Sequence, residues 1–245
     1  MISAIAESLL NVVFPPLCRA CEELLPGRGT DLMCETCLTK AKPLAPPLCA
    51  TCGAPVEEDE AQGQKGPQCC RRCPGFEVQF KFARSAFDYA PPVRDLIHQF
   101  KFRGSERVRG LLLEWFLKGA DRHLKREEFD AVAPVPLHWW RRFQREFNQA
   151  EILGRPLAAR WSLPFLPRAL RRTRYTQPQS RLKGKWRERN IEGAFAPGRD
   201  PVQGLRVLLV DDVMTTGRTL SACAETLLKA GAASVAVYTL ARRLT

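Results

Sequence analysis

Apolar positions in this chain change their period from zone to zone. Ile2, Ile5, Leu9 and Val12 recur at helical spacing, which predicts a short packing helix over residues 2–13. Residues 14–75 run rich in Cys, Pro and Gly with few periodic apolar positions, and such a segment cannot close a conventional core without staples. An alternating stretch around Val78–Ala86 predicts a strand. Val93, Leu96, Ile97 and Phe100 then predict one helix, and Val108–Leu124 a second. Phe129–Leu137, FDAVAPVPL, reads as a buried strand running into a loop, followed by a helix around Asn148–Trp161 and a poorly apolar stretch, Arg168–Asn190. Leu205–Val210 is an apolar run, interrupted only by Arg206 and bounded by Gly204 and Asp211, and predicts a buried strand. Thr216–Ala230 is helical, with Gly231 placed to end it, and Ala233–Leu240 is another apolar run. Strand, helix, strand in that order predicts a parallel unit with a right-handed crossover. The expected architecture is therefore α/β over residues 76–245, preceded by a small head over residues 1–75.

What staples the head is legible in the cysteines. Nine of ten lie between Cys18 and Cys73, and Cys223 stands apart on the last predicted helix as a small core residue. Eight of the nine form the pairs Cys18/Cys21, Cys34/Cys37, Cys49/Cys52 and Cys70/Cys73, each with a two-residue gap. That gap lets both sulfurs face one ion while N–H groups of the turn point at them, and two pairs supply the four thiolates zinc prefers. Sequential pairing of the motifs is the simplest arrangement; an interleaved one satisfies the same spacing. Cys69 could replace Cys70 only by widening its gap to three. Gly53, after Cys52, suits a left-handed knuckle turn. Each four-thiolate site carries a formal charge of −2, which Arg19, Arg71 and Arg72 would offset. Disulfides would require export. The start of the chain lacks a basic n-region and carries Glu7, and Cys18 follows Pro-Pro-Leu rather than the small residues that precede a lipidated cysteine. A cytoplasmic protein with one or two structural zinc ions is expected, with no stretch long enough to span a membrane.

Charge adds a direction. Lys and Arg number 38 against 26 acids, a formal +12, and residues 135–190 alone hold 14 basic and 3 acidic residues. An anionic partner follows: a phosphorylated metabolite, a nucleic acid or a membrane surface. Within that zone Arg171, Arg172, Arg174, Lys183 and Lys185 are candidates for tracking a nucleic-acid backbone. Trp139, Trp140, Phe143 and Trp186 are placed to stack on bases or to pack in a core. The stretch Arg168–Arg189 is equally a basic lid that could close over a diphosphate.

The most specific chemistry is Val207–Leu220, VLLVDDVMTTGRTL. A buried strand delivers Asp211 and Asp212 at its carboxyl end, where an open parallel sheet binds ligands. Thr215, Thr216 and Gly217 then open a helix whose free N–H groups favour an anion. Adjacent carboxylates can accept hydrogen bonds from a sugar diol, so one segment offers a site for a ribose 5-phosphate.

That segment resembles the phosphoribosyl pyrophosphate motif of type I phosphoribosyltransferases. FDAVAPVPLHWWRRFQREFNQAEILGRPLA, VRDLIHQFKFRG and RRTRYTQPQSRLKGKWRERNIEGAF resemble the ComF family, as does a cysteine head before such a domain. The resemblance implies a type I phosphoribosyltransferase-like, mostly parallel sheet flanked by helices behind a small four-cysteine zinc-ribbon domain. It implies that Asp211 and Asp212 hold the ribose hydroxyls and that Val213, Met214, Thr215, Thr216, Gly217, Arg218 and Thr219 cradle the 5-phosphate. The pyrophosphate loop would comprise Pro136, Leu137, His138, Arg141 and Arg142, and Mg2+ would arrive with phosphoribosyl pyrophosphate. A role in DNA uptake and natural transformation follows, on single-stranded DNA, with a competence helicase or recombination mediator as partner. An active phosphoribosyltransferase with an unidentified acceptor is the alternative. The chain stops at Thr245, straight after the last predicted strand, so cover for the site is expected from the cysteine head or from residues 76–128.

Overall fold

A computed structural model describes residues 15–25, 32–56, 69–70, 73, 78–102, 105–137, 147–173 and 193–244. The helix expected over residues 2–13 lies outside them. Four strands form one parallel sheet: β1 (Ala83–Asp88), β2 (Ala131–Pro134), β5 (Arg206–Met214) and β6 (Ser234–Arg242), in the order β1-β6-β5-β2. A separate antiparallel pair joins β3 (Leu170–Arg172) to β4 (Phe195–Pro197). The described helices are α1 (Glu35–Lys40), α2 (Val93–Phe102), α3 (Glu106–His123), α4 (Gln149–Arg160) and α5 (Arg218–Lys229).

Both faces of the sheet are covered, so the centres of β5 (Val207–Val210) and β6 (Val235–Tyr238) read as apolar runs rather than alternations. On one face Leu208, Val210 and Tyr238 pack with Leu96, Ile97, Phe100, Leu112, Phe116, Leu153 and Leu157 of α2, α3 and α4. On the other, Val207, Leu209, Val235 and Val237 pack with Leu220, Cys223 and Leu227 of α5. Ser105 caps α3 by accepting from Val108 N–H, and Asn148 caps α4 by accepting from Ala150 N–H at 3.1 Å. The Asn148 amide also donates to Val135 C=O at 3.1 Å, which fixes the start of α4 against the exit of β2. Gly231 takes φ +95° after the last turn of α5, the left-handed conformation that ends a helix most readily in glycine.

Two boundaries differ from the sequence expectation. Strand β5 continues through both acids to Met214, because β6 keeps pairing with it in one register as far as Arg242. The following helix starts at Arg218 rather than Thr216, because Gly217 at φ +75° turns the chain first.

The cysteine segment does not sit apart from this core. Cys18 and Cys37 belong to the apolar cluster on the α2–α3–α4 face, whereas Cys49, Cys52 and Cys70 belong to the cluster on the α5 face. Leu44 N–H donates to Ala86 C=O and Pro43 bridges Phe87, so the head also pairs with the outer edge of β1.

Candidate functional site

The eight paired cysteines gather sequentially into two groups, Cys18/Cys21/Cys34/Cys37 and Cys49/Cys52/Cys70/Cys73. Sulfur separations of 3.7 Å (Cys21–Cys34), 3.5 Å (Cys49–Cys73 and Cys52–Cys70) and 3.6 Å (Cys70–Cys73) approach the edge of about 3.8 Å in a tetrahedron with 2.3 Å zinc–sulfur bonds. The first cysteine of each group receives backbone N–H donors: Cys34 N to Cys18 Sγ at 3.4 Å, and Cys52 N and Cys70 N to Cys49 Sγ at 3.5 and 3.3 Å. Burial opposes charge on Cys49, yet these N–H groups hold its thiol down to about 6, so the thiolate a metal needs is already favoured. The donor set and its spacing fit structural zinc in both groups. Cys69 stays exposed beside Thr51, outside the group that Cys70 completes.

Sequence reasoning missed two cations of the second group. Arg84 of β1 donates to Cys49 C=O at 3.3 Å and Ala50 C=O at 3.1 Å, and buried Arg242 at the end of β6 donates to Cys52 C=O. Both bring positive charge against the sulfurs. A charged residue closing an otherwise apolar strand was the available signal for Arg242. Gly53 takes φ +69°, and a Cβ there would meet Ala83 C=O at 2.5 Å, so this knuckle turn is pressed directly onto β1.

Towards the carboxyl edge of the sheet, Asp211 and Asp212 lie in the last residues of β5, before Val213 and Met214, with their side chains on opposite faces. Asp211 accepts from Asp212 N–H at 2.8 Å. Burial, and then the neighbouring Asp212 carboxylate, push the Asp211 carboxyl up to about 8. Asp212 meets a residue absent from the sequence reading: Lys101 Nζ, from the last turn of α2, lies 2.6 Å from its Oδ2, with both side chains largely buried. Lys101 stands four residues after Ile97, so a lysine in phase with the apolar stripe of α2 was the signal. α2 thus reaches the acidic pair, from the segment expected to provide cover.

Met214 turns its side chain into the core with Leu220 and Cys223, leaving only its backbone to the loop. Thr215 and Thr216 are exposed, Arg218 and Thr219 half-exposed, and Gly217 buried. Gly217 C=O accepts from Ser221 N–H at 2.8 Å, so the left-handed turn feeds directly into α5. Val213 is half-buried against the opposite core. Pro136 and Leu137 follow β2 and Arg171 and Arg172 lie on β3, and one cavity borders all four. His138, Arg141, Arg142, Arg174, Lys183 and Lys185 lie outside the described residues, as do Trp139, Trp140, Phe143 and Trp186.

Two family models match the chain: a double zinc ribbon domain over residues 9–74 and a phosphoribosyl transferase domain over residues 165–245. Among curated relatives, the DNA utilization protein YhgH of Escherichia coli K12 is 35% identical, covering 94% of this chain and 98% of its own. Competence protein F of Haemophilus influenzae is 31% identical, over 86% of this chain and 90% of its own. Competence protein ComFC of Bacillus subtilis is 27% identical, over 86% and 85%. Likeness of this extent, on a parallel sheet that ends in an acidic pair and is joined to two four-cysteine centres, means that the chain belongs to the ComF family of double zinc ribbon–phosphoribosyltransferase-domain proteins.

Proposed function

We propose that this protein binds phosphoribosyl pyrophosphate with Mg2+ at the carboxyl end of β5 and works with single-stranded DNA in DNA uptake. The observation that carries the first half is one juxtaposition: two carboxylates at a parallel strand end, then a left-handed Gly217 that opens a helix N-terminus. Asp211 and Asp212 are assigned to the ribose hydroxyls, and residues 213–219 to the 5-phosphate through backbone N–H groups and threonine hydroxyls. Mg2+ would be held mainly by the diphosphate and water, and Pro136 and Leu137 begin the loop assigned to the leaving diphosphate. The DNA half is supported by the names of the relatives, DNA utilization protein and Competence protein F, and by the basic zone over residues 135–190. The presence of both acids also favours a second reading, in which the site turns over, transferring the phosphoribosyl group to an acceptor and releasing pyrophosphate as the leaving group.

Calorimetric titration of the zinc-loaded protein with phosphoribosyl pyrophosphate and Mg2+ tests the cradle. Micromolar binding is expected, weakened at least about tenfold in Asp211→Asn with Asp212→Asn. Equal affinity in wild type and variant would remove the acidic pair from the site. Pyrophosphate release when candidate acceptors, a base, an amine or an oligonucleotide end, are added to the loaded protein would separate a transferase from a ligand sensor.

A further inference from the structure

The cavity bordered by Pro136 and Leu137, the start of the loop assigned to the leaving diphosphate, extends from there to residues of β3 and β4. It measures about 560 Å³, within the roughly 300–1,000 Å³ of small-molecule sites, and none of residues 211–219 lines it. Four arginines border it: Arg168, Arg171, Arg172 and Arg199. Among the described residues that line it the one acid is Glu151, whose carboxylate accepts from the Asn148 amide at 3.3 Å. The remaining wall is largely apolar, with Pro136, Leu137, Pro167 and Pro197.

The arginines are held by the fold rather than scattered on a surface. Arg199 N–H donates to Arg168 C=O at 2.7 Å, and Gly198 N–H to Ala169 C=O at 2.9 Å, which closes the exit of β4 onto the entrance of β3. A Cβ at Gly198 would lie 1.8 Å from Arg168 C=O, so only glycine permits this approach. Arg171 Nε donates to Pro197 C=O at 3.3 Å, and the Arg172 guanidinium lies over the Phe195 ring at 5.3 Å. The Arg168 side chain remains 70% exposed, with Asp200 3.7 Å away.

We propose that this cavity is a nucleotide pocket for single-stranded nucleic acid, with a backbone phosphate against Arg168, Arg171 and Arg199 and an unstacked base against the proline and leucine wall. A net positive rim selects the phosphate. The apolar wall can take up a base that a duplex would keep stacked, which favours a single strand over a double one. The pocket deepens the single-strand reading above and rests on it.

The test uses the full zinc-loaded chain and a fluorescein-labelled oligothymidylate, with anisotropy followed over a salt series. Arg171→Glu with Arg199→Glu is compared with wild type and with Lys118→Glu, a charge reversal at an exposed position of α3 that does not line the cavity. Zinc content and melting temperature report folding. The pocket variant is expected to lose affinity at least about tenfold and to flatten the salt dependence by about 1.4 in logarithmic slope, two contacts at about 0.7 each. Lys118→Glu should stay within about twofold. In wild type, a 4-thiothymidine oligonucleotide should crosslink to peptides holding residues 136–137, 167–172 or 197–199. Loss of phosphoribosyl pyrophosphate affinity with unchanged oligonucleotide binding would overturn the proposal and assign the arginines to a diphosphate. Unchanged oligonucleotide binding together with crosslinks elsewhere would overturn the pocket and keep the single-strand reading. No binding by wild type would overturn both.

Discussion

Asp211 shows how much one residue's surroundings decide. Its largely enclosed position near the end of β5, and then the Asp212 carboxylate, oppose ionisation, so the carboxyl rises from the ordinary aspartate range to about 8. Between those limits the folded protein holds a proton that the unfolded chain has released. Stability from this group is therefore full below the unfolded pKa, falls as pH rises, and is lost by pH 8. Melting temperature in wild type should drop between pH 5 and 8.5 by several degrees more than in Asp211→Asn, at about 2–4 °C per kcal/mol for a chain of this size. Parallel curves for the two proteins would show that Asp211 ionises normally. The pair of acids is plain in the sequence. Its asymmetry is not, because it depends on which face of the sheet each carboxyl enters and on what waits there.

Between elements, the decisive contact is Lys101 to Asp212. It ties the last turn of α2 to the end of β5, so the helix that covers the sheet also sets the charge at its carboxyl edge. Removing the cation leaves a carboxylate in a nearly closed crevice. Lys101→Met should cost about 3 kcal/mol in denaturant unfolding, and adding Asp212→Asn should recover more than half of that. Strict additivity of the two changes would mean that the ion pair carries no coupling. The periodicity of α2 is clear from Val93, Leu96, Ile97 and Phe100, and Lys101 breaks its apolar stripe. The sequence marks that break without naming a partner, since Asp212 lies more than a hundred residues away and only packing of α2 on the sheet brings them together.

Across the whole molecule, the two cysteine groups attach to the sheet differently. The first joins the core under α2 and α3. The second joins the core under α5 and is held by Arg84 and Arg242. Arg242 lies in register with Met214, the residue that ends β5 just before the Thr215–Gly217 turn, so the second group and the proposed cradle share one strand pairing. Two zinc ions per chain are expected. Arg242→Met should speed zinc release from the second group to a colorimetric chelator about tenfold, with release from the first group unchanged. Equal acceleration at both groups, or none, would show that Arg242 does not support the second site. The sequence by itself determined the parallel strand–helix–strand unit, the acidic pair with its glycine turn, the four CxxC motifs and the basic zone. Each of these is written in neighbouring residues, through side-chain period, local turn chemistry or spacing. Only the tertiary structure decided that the knuckles pair sequentially and split between two cores, that Lys101 answers Asp212, that Arg84 and Arg242 offset the sulfur charge, and that four arginines frame one cavity. These contacts join segments far apart in the chain, and burial of both faces of one sheet is what brings them within bonding distance.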